Sequence, residues 1–232
     1  MAKLIHLTVE GKEGRKSIEF ELRALFCGGY SGRDQEEVRK HIEELRRIGV
    51  PAPERTPVAY PVSTYLLTTD DEIEVQNEET SGEVEYVVLV GEDKLYVTVG
   101  SDHTDRELEK ISVPKAKQMY SKVIPGTVWP YDEVKDHWDE LVIRSYVVKG
   151  GERKLYQARP LEALIDVETL MNVVGECGPG WMLFSGTIPT VDGDLVYAGE
   201  FEMEMYDPVL DTNIGHRYRV HLLTGRRESG VI

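Results

Sequence analysis

Glu83 and Glu85 stand two residues apart at the head of the apolar run Y-V-V-L-V, and Asp102 follows downstream in G-S-D-H-T-D-R. Read as a strand, the run puts both glutamates on one face and Val84 and Tyr86 on the other, because strand side chains alternate. Two like charges so placed repel unless something compensates them. A hard divalent cation is the simplest compensation, with Asp102 as a third oxygen ligand. The rival reading is an ordinary strand with a solvated acidic face, and spacing by itself favours that rival. Glu200, Glu202 and Glu204 show how cheap the pattern is. They alternate with Phe201, Met203 and Met205, and there an apolar face backed by a solvated acidic one is expected.

His41 and Glu44 lie three apart in a segment of helical period, which makes them neighbours at one edge of its apolar stripe. Such a histidine is either packed and hydrogen-bonded or an imidazole whose tautomer the carboxylate fixes for proton transfer, and the packed case is the commoner. D-H-W-D at 136–139 has no second histidine cluster and reads as surface. Gly175, Gly178 and Gly180 follow a helix rather than a strand and lack dinucleotide-binding spacing. No nucleophile elbow, phosphate loop or zinc-protease helix occurs.

The elements that must position these residues are mostly strands. Residues 3–10 and 17–26 alternate around G-K-E-G and predict a β-hairpin. After C-G-G-Y-S-G the period changes: Asp34 with Glu37 makes a capping-box pattern, and Val38, Ile42, Leu45 and Ile48 predict a helix over 34–48, stopped by Gly49 and Pro51. Residues 51–61, rich in proline, should run extended across the surface. Short strands are expected near 64–68 and 73–76. Residues 95–99 should pair with the strand after Glu83 through Gly91-Glu92-Asp93, bringing Asp102 back towards the glutamates. A loop over 125–130, a short helix over 132–140, a hairpin around Gly150-Gly151 and a helix over 160–174 follow. Strands are expected over 181–188, 201–205 and 218–223. Neither an internal repeat nor a linker divides the chain, which reads as one domain.

Bulk properties bound the function. The 232 residues are 41% hydrophobic and 30% charged, enough for a substantial core. A formal net charge of -15 disfavours nucleic acid or an anionic membrane as partner, because phosphate contacts need surplus Lys and Arg. No stretch is long and apolar enough to span a bilayer, and the N-terminus lacks the apolar core of a signal peptide. Cys27 and Cys177 are too few for a disulfide framework or structural zinc. A soluble, cytoplasmic protein is expected.

Four patches in order, from about Gly28 to Pro189, together resemble the fumarylacetoacetate hydrolase superfamily. The glycine turn with His41, Glu44 and G-V-P-A-P is similar to that family's N-Y-x-x-H-x-x-E segment and proline-containing stretch. G-E-V-E-Y-V-V-L-V-G resembles its E-x-E strand, S-D-H-T-D-R its D-x-T-A-R signature, and F-S-G-T-I-P its T-G-T-P. Gly-Glu-Arg with Tyr156-Gln157 echoes its N-G-E-x-x-Q hairpin. The resemblance implies an α+β, mostly β fold, a mixed β-roll or β-sandwich of the fumarylacetoacetate hydrolase C-terminal domain type with a few peripheral helices. It implies Mg2+ or Mn2+ held by Glu83, Glu85 and Asp102, and a His41–Glu44 dyad on a lid helix. Lys122 corresponds to the family's catalytic lysine, with Lys117 close enough to compete. Tyr30, Arg106, Gln157, Gly186 and Thr187 would line the substrate site, in a homodimer. This sequence departs from the family pattern at Asp105, at His103 and at the inserted Ile188, and its interval from Glu85 to Asp102 is short.

The expected activity is metal-dependent chemistry on a small 2-oxo acid or 1,3-dicarbonyl through an enolate, hydrolysing a carbon–carbon bond. Decarboxylation, dehydration or isomerisation at the same site are alternatives. A β-rich module that binds a small ligand without turnover is the alternative of another class.

Overall fold

In the computed structural model, residues 2–47 and 52–223 are described. Lys3–Gly11 and Gly14–Leu22 form the expected antiparallel hairpin, in register from Lys3 opposite Leu22 to Gly11 opposite Gly14. Its second arm is shorter than the alternation suggests. At Arg23 the backbone N–H donates to Gly180 O at 2.7 Å, and the chain leaves the hairpin. Ala24–Gly29 then pairs parallel with Trp181–Phe184 and antiparallel with Val58–Val62, so part of the proline-rich segment is a strand.

The helix is Gln35–Arg47. Asp34 Oδ1 accepts from the N–H groups of Glu36 and Glu37 at 2.9 and 3.2 Å, satisfying donors that the first helical turn leaves free. The predicted stop at Gly49 and Pro51 lies outside the described residues, as does Ile48.

Among the described residues a ten-stranded mixed sheet runs from Gly14–Leu22 through Lys3–Gly11, Thr127–Pro130, Leu95–Asp102, Val84–Val90, Trp181–Phe184 and Ala24–Gly29 to Val58–Val62, with Lys122–Val123 and Leu67–Thr68 joined at one side. A five-stranded sheet has the order Glu152–Pro160, Val142–Lys149, Glu200–Asp207, Thr212–Leu222, Glu72–Val75. Thr127–Pro130 replaces the loop expected there. Flanked by Gly126 and ending on a proline, it shows no period, yet it bridges Lys3–Gly11 and Leu95–Asp102. The helix expected over 160–174 is two pieces. Leu161–Ala163 is a 3₁₀ turn, Leu164 is extended, and Asp166 Oδ1 accepts from Thr169 N at 2.8 Å to start Val167–Val174 afresh.

Val84–Val90 is buried along its whole length, as a strand covered on both faces must be. Val84, Tyr86, Val88 and Val90 share one apolar cluster with Ile143, Val147, Phe201 and Met203 of the smaller sheet. Val87 and Leu89 enter a second cluster with Leu7, Leu25 and Phe184. Glu83 and Glu85 have the parity of Val87 and Leu89, the residues of that second cluster. Among the described residues no helix is long and apolar enough to cross a membrane. The overall architecture is mostly β with peripheral helices, as the sequence predicts.

Candidate metal centre

The glutamates are not a solvated face. Glu85 is 0% exposed, Asp102 0% and Glu83 9%, and the three offer ligand oxygens within 4.8 Å of one another. The hairpin does the positioning. Val84 pairs with Ser101 and Glu85 with Gly100, so Asp102 falls opposite Glu83, whose carbonyl accepts from Asp102 N–H at 3.1 Å. The strand Leu95–Asp102 is longer than its alternation suggests and carries Asp102 as its last residue.

Buried carboxylates remain ionised only when paired. Asp102 Oδ2 lies 2.5 Å from Lys117 Nζ and Oδ1 lies 2.5 Å from Lys122 Nζ. Burial alone would raise Asp102, but the two ammonium groups outweigh it and hold the carboxyl well below the usual range. Glu83 Oε1 is 3.0 Å from Arg106 Nη1, and Oε2 is 3.4 Å from Lys117 Nζ and accepts from Thr104 Oγ1 at 3.3 Å. There too burial is overcome, by Arg106 first and Lys117 second, and the carboxyl is lowered. Glu85 is the exception. Its Oε2 accepts from Gly186 N–H at 2.7 Å, while Oε1 is buried with no hydrogen-bond partner. Burial, and then the nearby Asp102 charge, pushes it well above the carboxylate range.

The donor set suits a hard cation. It is all oxygen, the ligand atoms converge, and Glu85 Oε1 is a buried acceptor in want of a partner.

The remaining predicted residues have distinct places. Lys122 is wholly buried and also donates to His103 O at 3.0 Å, so its ammonium sits between that carbonyl and Asp102 Oδ1. Lys117, which the sequence leaves as competitor, is the lysine that touches both Glu83 and Asp102. Arg106, expected on substrate, is taken up by Ser81 Oγ at 2.8 Å, Glu109 Oε2 at 2.9 Å and Glu83. Gln157, also expected on substrate, is spent at both ends. Its Oε1 accepts from Val84 N–H and Ser145 Oγ, and its Nε2 donates to Thr187 Oγ1 and Ile188 O. Thr187 in turn donates to Val84 O at 2.9 Å. Together they tie the T-I-P segment to the head of the glutamate strand.

Gly186 has φ +88°, and a Cβ there would lie 2.3 Å from Ser31 Oγ, so the segment approaches the Tyr30–Ser31 turn as only glycine allows. Tyr30 itself has φ 55° and is half-buried, and burial, then Tyr60 and Glu109, pushes its phenol up to about 12. His41 and Glu44 lie on Gln35–Arg47, but their side chains lie outside the described residues.

The departures from the family pattern are structural. His103 is buried between Tyr218 Oη, 3.0 Å from Nδ1, and Thr80 Oγ1, 2.9 Å from Nε2. Burial, then Lys122 and Arg106, pushes its imidazole down to about 3, so it is neutral. Asp105 caps Arg106–Glu109 by accepting from Leu108 N–H at 2.8 Å, and it accepts from Asn77 and Tyr120. Sequence reasoning missed Ser81, Thr104 and Glu109. Glu109, three residues after Arg106 on a helix, carried a readable signal. The acidic strand Glu200–Asp207 behaves as expected: its glutamates alternate with buried residues and pair with Arg217, Arg153 and Arg144 on the surface. Surface clefts of about 420 Å³ around Gly150-Gly151 and about 370 Å³ around Ile111 and Val113 exclude the carboxylates, although the second shares Tyr60 with the surroundings of Lys117.

The family described as "Protein of unknown function (DUF2848)" matches residues 28–218. No curated protein matches the chain. Among solved structures, "Crystal structures of Cg1458" superposes with a TM-score of 0.62 at 12% identity, covering 95% of this chain and 100% of that one. A 2-keto-3-deoxy-D-arabinonate dehydratase complexed with magnesium and 2,5-dioxopentanoate gives 0.59 at 17%, covering 87% and 74%. A fumarylacetoacetate hydrolase from psychrophilic Exiguobacterium antarcticum gives 0.54 at 14%, covering 90% and 82%. At these identities the likeness establishes the fold, which is that of fumarylacetoacetate hydrolase.

Proposed function

The chain belongs to the DUF2848 family, and from its site we propose a divalent-metal-dependent enzyme that acts on a small 2-oxo acid or 1,3-dicarbonyl. One observation carries the reading: Glu85 Oε1, buried and unpartnered, converges with Glu83 and Asp102 on a common point. Mg2+ or Mn2+ held by these three residues would supply Lewis acidity to a substrate that offers two oxygens.

The chain's own residues do the rest. Arg106, fixed by Ser81 and Glu109, keeps Glu83 ionised, and Lys122 does the same for Asp102. Gly186 N–H orients Glu85 through Oε2. Lys117, the cation nearest the convergence point, offers its charge to a substrate carboxylate or to developing negative charge. Tyr30 supplies a half-buried, protonated phenol within range of its charge. By the family resemblance, His41 and Glu44 would form the dyad that activates water or moves a proton; such a base contributes about a hundred- to ten-thousandfold. Hydrolysis of a carbon–carbon bond is the first reaction to assay. Dehydration is the second reading, favoured by the magnesium-complexed dehydratase among the structural neighbours. The protein works as a homodimer in the cytoplasm.

The test begins with metal. Wild-type protein should bind one Mn2+ per chain by calorimetry, and Glu83→Ala and Asp102→Ala should abolish that binding. Unchanged metal content in both variants would sink the metal centre. A screen of 2-oxo acids and acylpyruvates, with products resolved by mass spectrometry, then separates hydrolysis, which yields two carbon fragments with water incorporated, from dehydration. His41→Ala should keep the metal and lose turnover. Ligand affinity without turnover in any of these compounds would instead identify a binding module.

A further inference from the structure

The two lysines of the site are not equivalent, and their partners say why. Asp102 Oδ2 accepts a hydrogen bond from Lys117, while Oδ1 has no hydrogen bond but lies 2.5 Å from the Lys122 ammonium. Glu83 gives Oε1 to Arg106 and Oε2 to Lys117 and Thr104. Glu85 keeps Oε1 unpartnered. An ion that takes one oxygen from each carboxylate therefore meets an atom with neither a hydrogen bond nor a paired cation only on Glu85. On the other two residues, Lys122 and Arg106 hold the outer oxygens from fully buried positions, braced by His103 O and by Ser81 and Glu109. The inner oxygens, Asp102 Oδ2 and Glu83 Oε2, are both held by the single ammonium of Lys117.

Resting on the metal reading above, we infer that Lys117 is an internal cation displaced by the metal: its ammonium fills the space between Glu83 and Asp102, and ion binding expels it. Charge supports the same conclusion. Four carboxylates, Glu83, Glu85, Asp102 and the Glu109 that also pairs with Arg106, face three cations, Lys117, Lys122 and Arg106, so the fully ionised cluster carries one surplus negative charge. A divalent ion added to that set leaves a buried surplus of one positive charge, and departure of one ammonium removes it. Lys117 is the one able to depart. It rides on the short helix Val113–Met119 on a flexible four-carbon stem, and the half-buried phenols of Tyr30 and Tyr60 lie within reach of its charge. Lys122 belongs to the strand Lys122–Val123, paired on both sides, and is 0% exposed. Metal binding would thus deliver a free ammonium beside the substrate site, where an anionic group of a 2-oxo acid could take it as partner. The lysine also sets a threshold for metal affinity, because the state in which it holds the carboxylates competes with the ion.

Reductive methylation of the full-length protein, read by peptide mass spectrometry with and without saturating Mn2+, tests this directly. Lys117 should be protected without the ion and label about tenfold more with it, while Lys122 stays protected in both. Calorimetry adds a second measurement: Lys117→Met should bind Mn2+ about tenfold more tightly than wild type, and Lys122→Met should not. Stoichiometric Mn2+ binding with Lys117 labelling unchanged overturns the displacement and leaves the metal centre standing. Failure of both wild type and Lys117→Met to bind Mn2+ overturns the metal centre and the displacement with it. The wild-type labelling needs no variant to fold.

Discussion

The backbone N–H of Asp102 donates to the carbonyl oxygen of Glu83 at 3.1 Å, so two carboxylates distant in sequence are set side by side by the backbone of one hairpin. The third, Glu85, lies opposite Gly100 in the same ladder. A Cβ on Gly100 would come within 2.6 Å of both Phe184 Cε1 and Val87 Cγ2. Gly100→Val should therefore push the two strands apart just where the ligands are registered. Overpacking of this kind costs about 1–3 kcal/mol. Urea denaturation should show that loss, and calorimetry should show weakened Mn2+ binding. Wild-type values in both would mean that the strands have slack the contacts do not suggest.

Arg106 is the cation that keeps Glu83 charged, and its guanidinium makes three separate contacts to do so. Arg106→Met removes a buried charge whose partner remains. Breaking a buried pair from one side costs about 3–5 kcal/mol, chiefly because the surviving charge is left uncompensated. Arg106→Lys keeps the charge but not the fork, and should fall between. Denaturation midpoints rank the three proteins. If Arg106→Met were as stable as wild type, Lys117 alone would be enough to hold Glu83.

The convergence of the three carboxylates was legible because each part of its signal is local. The E-x-E parity, the following apolar run and a hairpin of readable turn length suffice to bring Asp102 back to Glu83. The roles of the cations were not legible, because they depend on which oxygen each one reaches. Lys117 and Lys122 are five residues apart, on a helix and a strand, and only the fold shows that one bridges two carboxylates while the other pairs with Asp102. Gln157 is expected on substrate through its resemblance to a family hairpin; its four hydrogen-bond partners come from three distant segments, which no local signal shows. The same limit explains Thr127–Pro130, whose strand identity comes from its neighbours on either side and not from its own period.

Tyr30 gives a dependence on alkaline pH. Burial leads its causes, and the phenol is pushed up to about 12 from an ordinary value of about 10. The protonated form is favoured in the folded protein. Its contribution to stability is therefore fully present below pH ~10, where both states are protonated, and is lost between pH ~10 and ~12 as the unfolded chain ionises first. Tyr30→Phe cannot ionise. The gap in melting temperature between wild type and Tyr30→Phe should thus shift in favour of the variant across that window. A constant gap from pH 8 to 12 would place the Tyr30 phenol in ordinary solvent.

Gly186 joins backbone conformation to ligand position. With φ +88° it sits where an L side chain is strained by about 1–2 kcal/mol. A Cβ would also meet Ser31 Oγ at 2.3 Å, with the Gly28 carbonyl carbon at 3.3 Å. Gly186→Ala should therefore lose at least that strain energy. It should also displace the N–H that donates to Glu85 Oε2 at 2.7 Å, weakening Mn2+ binding. The two causes separate in a double variant. Ser31→Ala removes the hydroxyl and relieves the contact but leaves φ unchanged, so Ser31→Ala/Gly186→Ala should recover part of the stability and keep the remainder of the loss. Full recovery would assign the whole effect to the contact with Ser31. No recovery would assign it to the backbone, and unchanged stability in Gly186→Ala itself would show that the turn adapts without moving Glu85.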